Sequence, residues 1–352
     1  MQIVYDGAMT DQLDFSEAEL LATASIEQPL FASGKRCHGG FDQVGNYVSP
    51  RTEHRWRAIR NWQDEHRRQS GNEILDAPLS QWPAQFPSVA QTKYLLREGV
   101  TQPTAASLTR IGTVEGFGGL IRDVGVEDLQ SHFADSIAHT ALAHLDRGLF
   151  EAHARDEVGH GEEAGHKEMW FATRDIAFDR SFGDDEVAQM IQRMGFAPAA
   201  GGATPAPVRL CPEIEPGLEG MLRFMIGLMF IEVSAFHTFA WAEAVLSDRD
   251  LVAGDGTAAD LVSYIRADET PHVAYLQTAL TEVRDRSLRT TSGAAIDGVV
   301  IVDRIWAHAL NESLGSRREL QLAATVHEIE FAVKDLVRGE EILQRFNALA
   351  TV

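Results

Sequence analysis

Cysteine is almost missing from this chain. Among 352 residues only Cys37 and Cys211 occur, far apart and with no Cys-x-x-Cys spacing, which excludes a disulfide framework, a thiolate zinc site and an iron–sulfur cluster. So few thiols suit a reducing cytoplasm, the expected location. Basic charge is short as well: 31 Lys and Arg stand against 52 Asp and Glu, a net charge of -21, which argues against nucleic acid and an anionic membrane surface as partners. Residues 1–14 hold no basic segment followed by an apolar run, so no secretory leader is expected. No dinucleotide-type glycine fingerprint follows a strand-like run. The longest apolar run, Met221 to Ala242, carries Glu232 near its middle. A carboxylate there is costly in lipid, so a buried core helix is expected rather than a membrane span.

What remains is an ordinary globular composition, 44% apolar and 24% charged, in a chain long enough for a substantial core. Residues 1–100 mix short apolar runs with Gly and Pro and read as an irregular N-terminal extension packed on the main domain, with one Arg-rich helix over 52–68. Residues 101–290 read as a helical bundle. Its first helix is expected from about Glu127, because Leu129, Phe133, Ile137, Ala141 and Leu145 recur at helical spacing. A turn at 146–148 then leads to a second helix over 149–178. Gly159, Gly161 and Gly165 fall inside that second helix, where glycine signals close packing or a local distortion. A Gly/Pro-rich connection over 195–217 precedes a third helix, 218–246, and a fourth, 257–286. Hairpin, long connection, hairpin is the order of a four-helix bundle with one crossover. Residues 291–352 add C-terminal helices, 297–312 and 316–348, for packing on the bundle or for pairing in a homodimer. The expected class is all-α.

One motif occurs twice: Asp156-Glu157-Val158-Gly159-His160 and Asp268-Glu269-Thr270-Pro271-His272. On a helix, Glu and His three residues apart share a face, and two such pairs on facing helices can hold two metal ions between them. The expected ligands are therefore Glu157, His160, Glu269 and His272, joined by Glu232 from the third helix. For the first helix Glu127, thirty residues before Glu157, ranks first; Asp135 and His139 compete on depth, and Glu115 is an outside candidate. Asp156 and Asp268 are turned about 100° from the neighbouring ligand Glu and are expected to orient the histidine of the opposite motif. His153, four residues before Glu157, falls on the ligand face as an additional ligand, a pocket acid or base, or a core histidine. Glu163 and His166 repeat the spacing, but on a continuous helix His166 lies about 180° from Glu157 and is set aside. Tyr264 and Tyr275 point roughly 120–140° away from Glu269, so no radical-storing tyrosine is expected. Beyond the ligands no further catalytic residue is expected.

Through Asp156-Glu157 with His160, Glu232, and Asp268-Glu269 with His272, the chain resembles the ferritin-like di-iron carboxylate superfamily over about residues 127–286. The resemblance implies a ferritin-like four-helix bundle holding two iron ions, with mixed iron–manganese or manganese as other loadings. It implies a non-haem oxygenase or oxidase that activates O2 to oxidise a small organic substrate by hydroxylation, N-oxygenation, desaturation or oxidative cleavage. Electrons are then expected from a separate donor or from the substrate. Two alternatives stand beside it: a haem-oxygenase-like di-iron oxidase using Glu157, His160, Glu232 and His272, and a ferroxidase or metal-handling protein with no organic substrate.

Overall fold

A computed structural model describes residues 12–193 and 208–351 and shows a mostly helical protein. The one-turn helix α1 (Glu17–Leu20) is capped by Ser16 and leads into an antiparallel sheet of β1 (Gln28–Ala32), β2 (Lys35–Phe41) and β3 (Tyr47–Val48), with β2 in the middle. Helices α2 (Arg55–Ser70) and α3 (Val89–Arg97) complete the first hundred residues. The N-terminal region is thus more ordered than expected. Its helix α2 buries Ala58, Ile59, Trp62 and His66, one face at helical spacing.

Then come α4 (Gln102–Gly118), α5 (Phe150–Val158), α6 (His166–Ala177) and α7 (Asp184–Arg193). The long helices α8 (Pro216–Leu246) and α9 (Thr257–Arg284) follow, joined by a short loop. The hairpin β4 (Ser287–Arg289) and β5 (Ala295–Asp297) precedes α10 (Gly298–Leu314), α11 (Ser316–Val333) and α12 (Gly339–Ala348). The expected third and fourth helices correspond to α8 and α9, and the C-terminal helices form as three rather than two. Of the Gly/Pro-rich connection, residues up to 207 lie outside the described residues.

Two expectations fail here. No helix starts at Glu127: residues 124–149 run through turns, short 3-10 segments and one π turn at Leu145–Leu149, with left-handed backbone at Asp128 (φ 48) and His139 (φ 63). Leu129, Phe133, Ile137, Ala141 and Leu145 are all buried, so their spacing reports contact with the core and not a helical backbone. Ala134 instead donates its backbone N–H to Ser287 on β4, at 2.8 Å. The long helix that precedes α5 in the chain is therefore α4. The second failure is the helix expected over 149–178, which is cut into α5 and α6 by a loop at 159–165.

Helices α8 and α9 run antiparallel, as the Glu243–Arg266 ion pair (3.0 Å) and the grouping of Glu232 with His272 require. By length and composition α8 could cross a membrane, yet it is packed along α9 with Leu222, Met225, Met229 and Phe239 buried. Residues 218–233 of α8 and 275–283 of α9 belong to one apolar cluster, and residues 239–246 and 258–265 to another. Between the two clusters lies a buried polar layer containing Glu232, Asp268, Glu269 and His272.

Candidate metal centre

Two sets of four side chains converge in that layer: His153, Glu157, Glu232 and His272, and Glu115, Glu157, His166 and Glu269. Within each set the ligand-type atoms lie within 4.8 Å of one another, and Glu157 belongs to both. They come from α4, α5, α6, α8 and α9. All are buried except Glu115, which is half-buried.

Helix α9 delivers its share as expected. Glu269 and His272 sit one turn apart, with His272 Nδ1 2.6 Å from Glu269 Oε2 and 3.3 Å from Glu157 Oε1. Glu232 also stands where it was expected, 3.3 Å from His153 Nε2. Arg223, an alternative partner for Glu232, bonds Val208 O and lies near Glu219 instead.

The α5 half differs. His160 is exposed and belongs to neither set. After Val158 the chain turns at Gly159 (φ +78), where an added Cβ would lie 2.2 Å from the carbonyl oxygen of Glu163. His160 and Glu163 then exchange backbone hydrogen bonds in a tight loop. This loop is tied to β2, since His38 N–H donates to Ala164 O and Ala164 N–H to Arg36 O. The chain re-enters a helix at His166, the residue set aside for pointing the wrong way. With the helix broken, His166 Nδ1 lies 2.8 Å from Glu269 Oε1 and 3.4 Å from Glu157 Oε1. The three glycines were the available signal, and helical geometry across them was the wrong premise.

On the first helix the ligand-type residue is Glu115, the outside candidate. Its Oε1 accepts a hydrogen bond from the Trp170 indole at 3.0 Å. One turn on, an added Cβ at Gly118 would lie 2.6 Å from Glu157 Cγ, so α4 comes this close to α5 only without a side chain there. Glu127 is exposed in a turn. Asp135 is exposed and accepts the Ser287 N–H, and His139 is exposed and pairs with Asp14 at 2.7 Å. None of these three reaches the centre.

His153 faces the centre, with Nε2 3.5 Å from Glu157 Oε1. Its ring stacks on His272 at 3.8 Å between centroids, and Nδ1 bonds the Tyr275 hydroxyl at 3.0 Å. A tyrosine therefore does adjoin the site. Its angle from Glu269 on the helical wheel does not measure what it reaches on a neighbouring helix.

The two aspartates behave alike. Asp156 Oδ2 lies 2.9 Å from His272 Nε2, the opposite motif's histidine, as expected. Asp268 Oδ2 lies 3.5 Å from Nε2 of His166, which takes the place expected for His160. Arg51 and Arg55 hold Asp156 at 2.6 and 2.8 Å, while His38 and Tyr47 hold Asp268 at 3.1 and 2.9 Å. Arg51 also donates to His38 Nδ1 at 3.1 Å, so one buried chain joins Asp156, Arg51, His38 and Asp268. All four supporting residues come from the N-terminal region, and no periodicity marked them.

Electrostatics follow from this enclosure. Burial pushes Glu157, Glu269, Glu232 and Glu115 up from the usual carboxylate range, with neighbouring glutamates adding to the shift at Glu157 and Glu269. Burial pushes His153 and His272 down to about 3, leaving neutral imidazoles. At His166 burial acts the same way but the Glu269 and Glu157 carboxylates outweigh it, and its value rises. Burial opposes ionisation of Asp156 too, yet Arg51 and Arg55 hold it well below the carboxylate range. Several atoms facing the centre have no hydrogen-bond partner among the described residues: His153 Nε2, both Glu157 oxygens, His166 Nδ1 and Glu269 Oε1. Orphaned buried donors and acceptors are costly, and divalent cations satisfy them together. Four carboxylates and three imidazoles also balance the charge of two such ions and suit iron or manganese.

The centre opens on a cavity of about 620 Å³ whose wall includes Glu115, Glu157 and Glu232. Phe224, Leu228, Phe230 and Phe239 give it apolar faces. Comparison of the chain with protein-family models, with curated proteins and with solved structures finds no match.

Proposed function

We propose that this protein is a ferritin-like, non-haem di-iron oxygenase or oxidase that oxidises a small organic substrate. In this reading α4, α5 with α6, α8 and α9 are the four bundle helices, with the crossover between α6 and α8. The observation that carries it is the pair of four-ligand sets sharing Glu157, placed on the wall of a cavity of about 620 Å³. Glu115, Glu157, His166 and Glu269 would hold one ion, and His153, Glu157, Glu232 and His272 the other. Bound there, two iron or manganese ions supply O2 activation.

The chain's own residues prepare that chemistry. Asp156 accepts the Nε2–H of His272 and fixes the tautomer whose Nδ1 lone pair faces the carboxylates. Asp268 Oδ2 stands 3.5 Å from His166 Nε2, placed to orient that ring in the same sense. Arg51 and Arg55 keep Asp156 ionised, so it accepts and never donates. The apolar clusters on both sides exclude water from the polar layer. A cavity of this size, walled partly by the ligands themselves, favours an organic substrate over metal storage.

The test is iron per chain after anaerobic Fe(II) loading, followed by O2 uptake. Two irons in the wild type and none in Glu157→Ala with Glu269→Ala support the reading. Zero iron in the wild type ends it, and full O2 uptake with no organic substrate would move the assignment to metal handling.

A further inference from the structure

The charge of the cavity wall is the reverse of the charge of the molecule. The chain carries -21 overall, yet the acidic residues on this wall are the three site glutamates, Glu115, Glu157 and Glu232. The other ionised residues are arginines: Arg110, Arg223, Arg317 and Arg318. Arg110 is bound by Glu328 at 2.8 Å, and Arg223 lies near Glu219. Among the described residues neither Arg317 nor Arg318 has an ion-pair partner, and Arg318 is half-buried.

Arg223 and Arg317, with Arg318 next to it in the chain, lie toward the end of the cavity away from Glu232. Arg223 precedes Glu232 by nine residues on α8, about 13 Å along the helix axis. Arg317 lies beside Arg223, because both also line a neighbouring surface hollow. Arg317 is exposed, so this end meets solvent. Phe224, Gly227, Leu228 and Ile231 pave the α8 side between Arg223 and Glu232. At Gly227 an added Cβ would meet nothing within 4 Å, so the space along this wall is open. A cavity with two guanidinium groups that lack an ion-pair partner toward solvent, apolar side chains along α8 and metal-type ligands further along the same helix suits one ligand shape.

We propose that the substrate is an amphipathic organic anion, with its apolar end directed at Glu115, Glu157 and Glu232 and its carboxylate or phosphate held by Arg317 and Arg318. Guanidinium forks bind either head group in a bidentate manner, and the apolar body is retained by burial. The proposal rests on the dinuclear reading for calling this ligand a substrate. The position along the body that is oxidised is then set by the distance from the arginines to the centre, and not by contacts at the reacting carbon.

The test measures binding of decanoate, decyl phosphate and 1-decanol to the metal-free full chain through tryptophan fluorescence, since Trp82 lines the cavity. Both anions should bind saturably and the alcohol about tenfold more weakly, as expected for losing a charge-assisted hydrogen bond. Arg317→Ala with Arg318→Ala should erase the preference and leave decanol binding unchanged. Ala235→Trp, at a residue that lines this cavity and not the neighbouring hollow, should weaken all three, placing them in the cavity. The tighter of the two anions identifies the head group. Decanol binding as tightly as decanoate, or a preference that survives the double substitution, overturns the proposal. Iron loading of the same wild-type preparation separates the failures. Two irons with no head-group preference defeat the substrate class alone, whereas a preference in a chain that takes up no iron defeats the dinuclear reading and the substrate role with it.

Discussion

The two halves of the centre begin with the same Asp-Glu pair and reach a histidine by different routes. On α9 the route is one turn of unbroken helix from Glu269 to His272. On the other side the helix stops one residue after Glu157, a loop of seven residues intervenes, and His166 opens the next helix. Both histidines still present Nδ1 to the carboxylates and Nε2 to an aspartate. The same arrangement of carboxylate, imidazole and aspartate is reached by two different local backbones, so the side-chain geometry does not depend on one backbone path. The N-terminal sheet meets both halves, the broken one through backbone hydrogen bonds between β2 and the loop and the intact one through the His38 and Tyr47 side chains on Asp268.

The largest expected effect breaks or upholds this comparison directly. His166→Ala should lower iron loading from two ions to one, while His160→Ala loads like the wild type. The opposite result, read by iron analysis, would restore the unbroken motif and refute the loop. Next in size are the aspartates. Asp156→Ala leaves Arg51 and Arg55 buried without their partner and should cost about 3–5 kcal/mol in urea unfolding of the metal-free chain. Asp268→Ala removes hydrogen bonds to His38 and Tyr47 and should cost about 1–3 kcal/mol. Equal losses would mean that the two halves are supported alike.

A pH effect comes third. In the metal-free fold Glu157 and Glu269 keep their protons well above the ordinary value of 4.5. The unfolded chain therefore releases these two protons first as pH rises past 4.5, and the pair takes stability from the metal-free fold above that point. His153 and His272, held neutral, add stability only up to their ordinary value of 6.5. His166 acts in the same direction as the glutamates, because its folded value is raised and its contribution fades as pH climbs through that value. Bound cations need the deprotonated ligands, so the melting gap between iron-loaded and metal-free protein should widen from pH 5.5 to 8. A gap that narrows would contradict the charge assignment. The smallest effect tests the loop. Gly161 has φ +61 with open space around it, so Gly161→Ala should cost about 1 kcal/mol and leave iron loading intact. A loss of iron there would show that the loop's shape, and not only its ends, sets the ligands.

What was legible in the residues divides along the same line. Helices α8 and α9, Glu232, Glu269, His272 and the ligand-face position of His153 follow from unbroken helical spacing, and the structure places them so. His166 was lost because angles on a helical wheel carry no meaning across Gly159, Gly161 and Gly165. Glu115 was ranked low because the buried Leu129-to-Leu145 pattern imitates a helix that does not form. Arg51, Arg55, His38 and Tyr47 were invisible. They act through contacts across 100 to 230 residues, and nothing local in a sequence reports such partners.

The clamp between β2 and the 159–165 loop bears on how this protein is made. His38 and Asp268 are 230 residues apart, yet they touch inside one buried hydrogen-bond chain. During synthesis the N-terminal strands emerge long before α9 exists, and their polar side chains must wait for partners still to be translated. The two four-residue sets cannot close until residue 272 has left the ribosome, so the centre of the molecule is completed by one of its later helices.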